Sequence, residues 1–112
     1  MKKIEAIIKP DMLSAVKVAL ANAGYPSLTA YEVKGRGKQS GIIETVSGKK
    51  IRADMLPKTK VEIVIEDKHA TEVTDIIIKT ACTDTIGDGK IFVSTIDDAI
   101  RIRTGEKGKD AI

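Results

Sequence analysis

Three groups of residues in this chain could handle an anion. Gly87-Asp88-Gly89-Lys90 sets two glycines around one carboxylate and ends on a lysine. Such glycines let the backbone aim its N–H groups at one point, a concavity suited to phosphate, and Lys90 adds a point charge. A plain helix-to-strand turn has the same composition, so this motif alone leaves both readings open. Arg101 and Arg103 alternate with Ile100 and Ile102. At strand period the two guanidinium groups point to one side and the isoleucines to the other. Like charges side by side are costly unless an anion or carboxylate lies between them, although a solvated edge strand also carries charge. In the third group Gly35, Gly37 and Gly41 permit close backbone approach, while Lys38 and Gln39 offer a cation and an amide. Lys58 follows Pro57 at the far side of the same loop, where it could meet a carboxylate. A surface loop with lysines for solubility is the plain alternative. Taken together, the glycine turn, its lysine and the paired arginines favour a polyphosphate ligand.

Other chemistries lack their parts. His69 is the only histidine, so neither a Ser/His/Asp set nor a multi-histidine metal site can be assembled. Cys82 is the only cysteine and has no internal disulfide partner; a small, partly buried filler open to oxidation is expected there. The sole candidates for a general base are Asp88 and Glu62, which ranks an enzyme below a binding protein. With 112 residues the chain is expected to form one domain, 1–112. Apolar residues make up 42%, charged ones 31% and aromatics 3%. No apolar run is long enough to span a bilayer and the start lacks a secretory core, so a cytosolic protein without membrane insertion is expected. A net charge of +3 favours anionic ligands slightly and does not by itself point to nucleic acid.

The elements that must position these residues follow from periodicity. Lys3 to Ile8 reads as a strand with Ile4, Ala6 and Ile8 on one face. Asp11 is placed to cap a helix reaching about Ala23, with Met12, Val16, Ala19, Leu20 and Ala23 as its stripe and Gly24 as its stop. A second strand spans about Leu28 to Lys34. Then comes a polar stretch of roughly twenty residues without apolar period, a length usually functional or disordered. Lys60 to Glu66 is the clearest strand, and Asp67 is placed to cap a helix striped by Val73, Ile76, Ile77, Thr80 and Ala81. The glycine turn leads to a strand from Ile91 to Ser94, Ile100 to Arg103 alternates at strand period, and Thr104 to Ile112 is a polar tail.

The order β-α-β-β-α-β predicts an α+β, ferredoxin-like sandwich, a four-stranded antiparallel sheet with two helices on one face. The opposite face would carry Lys3, Glu5, Ile7, Lys60, Glu62 and Val64, a mixture that makes burial against another copy plausible. RNA-recognition domains share the strand order. They read bases with aromatics on central strands, and Val61 to Ile65 has none, with Phe92 the only phenylalanine.

At this level of detail the whole chain resembles the PII nitrogen-regulatory signalling proteins. The likeness rests on Met1-Lys2-Lys3-Ile4-Glu5-Ala6-Ile7-Ile8-Lys9-Pro10 at the start, on Thr83 with Ile86-Gly87-Asp88-Gly89-Lys90-Ile91-Phe92, and on Arg101-Ile102-Arg103-Thr104-Gly105-Glu106. The resemblance implies a homotrimer with ATP or ADP in each cleft between subunits. Gly87, Asp88, Gly89 and Lys90 would hold phosphates, with Arg101 and Arg103 reaching across the subunit boundary. Thr29, Gly35, Gly37, Lys38 and Val64 would line the nucleotide site. Gln39 would ligate a Mg²⁺ on the phosphates, and that ion would chelate 2-oxoglutarate near Ser40 and Gly41, with Lys58 at its distal carboxylate. Residues 36–54 would be the T-loop that docks on targets, 82–90 the nucleotide-binding B-loop and 104–112 the C-terminal loop.

Departures from the family pattern narrow this expectation. Ile51 stands where many bacterial members carry the uridylylated tyrosine, and Lys49 where some cyanobacterial relatives are phosphorylated, so both covalent switches are expected to be missing. Ser47 replaces the arginine of channel-blocking members and weakens the case for an ammonium channel. Asp84 and Thr85 replace the usual Gly-Lys; aspartate tolerates the left-handed backbone such a turn needs. Arg36, where more familiar members have an aromatic, resembles the nitrogenase-associated branch, whose members bind nitrogenase and switch it off when 2-oxoglutarate is low. Glutamine synthetase and an ammonium channel are the alternative targets, and a second PII-like paralogue could share the assembly.

Overall fold

A computed structural model describes residues 1–36 and 55–112 in full, together with the backbone of 43–46 and 49–52. Strand β1 (Lys2–Ile8) alternates as the sequence predicts, burying Ile4, Ala6 and Ile8 completely or nearly so. Helix α1 (Leu13–Asn22) buries Val16 and Leu20, with Met12 and Leu13 packed at the core margin. Ala23, expected on that stripe, is exposed. Gly24 terminates the helix at φ +97°, the left-handed conformation that suits glycine. β2 (Thr29–Gly35) is an exposed edge strand. β3 (Ile43–Val46) and β4 (Lys49–Arg52) pair as a separate antiparallel ribbon inside the long polar stretch. Sequence reading assigned no strand there, because neither Ile43–Val46 nor Lys49–Arg52 alternates apolar with polar residues. β5 (Leu56–Ile65), α2 (Ala70–Ala81) and β6 (Lys90–Thr95) complete the described elements.

Neither aspartate placed as a helix cap caps one. Each helix is entered through a short 3₁₀ turn, Pro10–Met12 and Asp67–His69, so the capping positions pass to Met12 and His69, without side-chain bonds. Asp11 and Asp67 thus lie upstream of the first α-helical turn. Asp67 instead accepts from the Met1 ammonium at 2.9 Å, and that pairing holds its carboxyl below the usual range.

The four long strands form one antiparallel sheet in the order β2-β5-β1-β6. Val61, Ile63 and Ile65 of β5 meet the β1 stripe, and Val73, Ile77 and Ala81 of α2 cover it, in agreement with the ferredoxin-like expectation. β5 starts four residues earlier than its pattern shows. Pro57 lies past the end of β1, whose Ile8 pairs with Thr59, in a stretch joined only to β2, where a residue lacking N–H is tolerated. The strand expected over Ile100–Arg103 is not formed. Apart from a single bridge from Ile100 to Lys107, this segment turns on itself, with Gly105 donating to the Arg101 carbonyl at 2.8 Å. Ile102 is fully exposed and Ile100 largely so, which overturns the packing side assigned to them.

The open face of the sheet carries the predicted residues, each half-buried. Glu5 accepts from Lys3 at 2.7 Å and lies 3.8 Å from Lys60, while Tyr31 donates to Glu62 at 2.7 Å. Exposed Phe92 sits opposite Glu5 on the same face. Its two aromatics, Tyr31 and Phe92, occupy edge strands with carboxylates between them, unlike a base-stacking surface.

Candidate functional site

The glycine turn is folded by contacts it makes with the end of β1. Beyond α2, Asp84, Gly87 and Gly89 adopt positive φ of 58°, 96° and 104°. Asp84 thus takes the left-handed conformation expected of it. A Cβ on Gly89 would lie 1.6 Å from the Ile7 carbonyl oxygen, so only glycine lets the turn seat there. Asp88 faces inward. Its carboxylate accepts from the Thr83 amide at 2.8 Å and from the Thr83 hydroxyl, and lies 3.2 Å from Lys9 Nζ. The Thr83 bonds, with the Lys9 ammonium adding to them, hold the Asp88 carboxyl far below the ordinary carboxylate range. Lys9 also donates to Thr83 Oγ1 at 2.9 Å and to Thr85 Oγ1.

Lys58, at the start of β5, donates to the Gly87 carbonyl at 2.5 Å. Gly35, at the end of β2, packs on the Lys58 stem, where an added Cβ would lie 3.9 Å from Cγ. Ends of three strands and the turn therefore gather Lys9, Gly35, Lys58, Gly87, Asp88 and Gly89. A largely apolar groove of about 290 Å³ opens beside them between α2 and β6. Cys82 lines it and is exposed rather than partly buried, because it lies just past the end of α2; its thiol donates to Asp84 at 3.3 Å.

Of the remaining described candidates Lys90 adjoins this cluster, following Gly89 and lining the groove, and the others are set apart from it. Lys90 opens β6 and is exposed. Thr29 is opposite Glu62, with Val64 farther along β5, at the other end of the sheet from Gly35 and Lys58. Six strand steps from Thr29 to Gly35 amount to about 20 Å. Arg101 and Arg103 share no strand face: Arg101 Nη1 pairs with its own Glu106 at 3.2 Å, and Arg103 is exposed. Gly37, Lys38, Gln39, Ser40 and Gly41 lie outside the described residues, as do Ser47 and the side chains of Lys49 and Ile51.

Sequence reading missed Lys9, and assigned no role to the hydroxyls of Thr83 and Thr85. Nothing in spacing links residue 9 to residue 88; only the fold does. As chemistry, the cluster offers glycine backbone and the Lys58 ammonium to an anion, while the Lys9 ammonium is taken up by Thr83, Thr85 and Asp88. Asp88 accepts from Thr83 and pairs with Lys9, and Glu62 accepts from Tyr31. Among the described residues no three His, Cys, Asp or Glu side chains stand together as a metal site. No helix among them is long and apolar enough to cross a membrane.

The profile of the family described as "Nitrogen regulatory protein P-II" matches residues 1–106. "Nitrogen regulatory protein P-II 2" of Methanothermobacter thermautotrophicus is 53% identical over 112 residues, covering all of this chain and 97% of that protein. "Nitrogen regulatory protein P-II" of Bradyrhizobium diazoefficiens is 54% identical and that of Rhodobacter capsulatus 52%, each over the full length of both chains.

Proposed function

This chain belongs to the nitrogen regulatory protein P-II family, and from that premise we propose that it is a non-enzymatic cytosolic sensor of ATP or ADP and 2-oxoglutarate. The observation that carries this reading is the gathering of Gly35, Lys58 and Gly87–Gly89 at one end of the sheet. Thr29, Val64, Arg101 and Arg103 fit the same ligand only if a second copy brings its opposite end to this cluster. The half-buried open face, with Ile7 and Val64 among its charges, supports such packing, and a homotrimer repeats it in three clefts.

In each cleft Gly87 to Lys90 would receive phosphates from one subunit, with Arg101 and Arg103 supplied by the next. The Asp88 carboxylate is turned to Thr83 and Lys9, so Asp88 would meet the phosphates through its backbone N–H while its side chain shapes the turn. Lys58 would release Gly87 to meet the distal carboxylate of 2-oxoglutarate. Gln39 would hold Mg²⁺, which neutralises phosphate charge and orients the 2-oxo acid. Lys38, Gly37, Ser40 and Gly41 complete the set.

The output is a T-loop, 36–54, whose arrangement the effectors favour or disfavour. By linkage, effector and target must weaken each other's binding by the same factor. Arg36 supports nitrogenase as the target; glutamine synthetase or an ammonium channel is the second reading, and a paralogous chain in the trimer is a further outcome to look for. Calorimetric titration of 2-oxoglutarate with and without Mg-ATP tests the mechanism. Binding is expected only with Mg-ATP and is expected to be lost in Gln39→Ala. Equal binding without nucleotide and metal would overturn it. Pull-downs against the three targets, with and without 2-oxoglutarate, decide the output.

A further inference from the structure

We propose that Lys9 is a positioning residue of the anion site: its ammonium ties Thr83, Thr85 and Asp88 together and so sets Gly87 and Gly89 in the shape that receives a phosphate. This rests on the reading of the glycine turn as the nucleotide site. An ammonium has three N–H donors, and here three oxygens take them: Thr83 Oγ1 at 2.9 Å, Thr85 Oγ1, and Asp88 Oδ1 at 3.2 Å. Lys9 therefore cannot grip an anion without abandoning one of these partners, which separates its role from that of Lys58. All three acceptors lie within Thr83–Asp88, so one side chain closes the segment on itself. Thr83 and Thr85 also share a hydroxyl contact at 2.7 Å, which couples both to the same hub.

The hub is anchored on the far side. Lys9 follows β1 directly, and Gly89 abuts the Ile7 carbonyl of that strand. The Lys9 stem also runs beside Gly87, where an added Cβ would lie 3.7 Å from Cε. Ion pair and stem are mostly shielded, with side-chain exposures of 27% for Lys9 and 22% for Asp88. Thr85 takes part through a hydroxyl that a lysine at this position would replace with a competing cation, so the arrangement suits this sequence in particular.

The test is a double-mutant cycle read by calorimetric titration of Mg-ATP and Mg-ADP into the assembled protein. Lys9→Ala is expected to weaken nucleotide binding about tenfold, Asp88→Ala similarly, and the double variant no more than the worse single one. Lys9→Arg is expected to restore part of the loss. An affinity for Lys9→Ala within about twofold of the unaltered protein overturns the proposal, as does strict additivity, which marks a direct contact instead. If the unaltered protein binds no nucleotide, the nucleotide reading fails by itself. The hub is then judged by amide exchange at Thr83: loss of protection in Lys9→Ala sustains it and unchanged protection ends it. Lys9→Met, which keeps the stem, replaces Lys9→Ala should that variant not fold.

Discussion

The two ends of the sheet differ in how complete they are. At one end Lys9, Lys58, Thr83 and Asp88 bond to each other and to the backbone of the glycine turn, and Gly89 has no room for a side chain. At the other, Thr29 is exposed; Arg103, beyond β6, is exposed too, and among the described residues the Arg101 guanidinium pairs with the neighbouring Glu106. The difference teaches that one half of the candidate site is finished within a single chain. The other half is a set of separate parts that the single chain does not bring together, and the proposed trimer is what would join them to the first.

Glycine substitutions should expose that contrast most sharply. Gly89→Ala forces a Cβ into a carbonyl at positive φ and is expected to cost about 3–5 kcal/mol, together with nucleotide binding. Gly105→Ala, also at positive φ but with open space around it, is expected to cost only about 1–2 kcal/mol. Chemical denaturation of the two variants measures both; equal costs would erase the distinction.

Acid should act on the finished end next. The Asp88 carboxyl is held below its unfolded value of about 3.9, so the stabilisation it contributes is present above that pH and disappears as pH falls beneath it. Asp88→Asn is expected to be less stable at neutral pH and to lose less below pH ~4, which denaturant midpoints across pH will show.

Glu106→Gln should have the smallest effect. An exposed ion pair contributes about 0–1 kcal/mol, so stability is expected to shift by under ~0.5 kcal/mol. Releasing Arg101 is expected to tighten nucleotide binding about twofold. A weaker affinity would show that Glu106 orients Arg101 rather than competing for it.

Much of the finished end could be read in the chain itself. Gly87 to Gly89, Gly35 and Lys58 were each visible as candidates, and the β1 and β5 stripes fixed the sheet that joins them. Lys9 was not, because a lysine before a proline has no signature until the fold sets it against residue 88. The strand expected over Ile100–Arg103 failed for a related reason. Alternation describes which side chains could share a face, while pairing needs a neighbouring strand, and this segment bonds to its own Gly105 instead. Asp11 and Asp67 misled because a capping residue is read from type alone, whereas a 3₁₀ turn moves the helix start by several positions.

β5 outruns β1, and the consequence is mechanical. Where Leu56 and Pro57 pair with Gly35 and Lys34, the ribbon leaves the body of the sheet like a cantilever, rooted on one side only. Lys58 is its strut, braced against the Gly87 carbonyl. Were a ligand to draw the lysine off that carbonyl, the beam would lose its brace at the root, where the pairing with β2 alone would have to carry it.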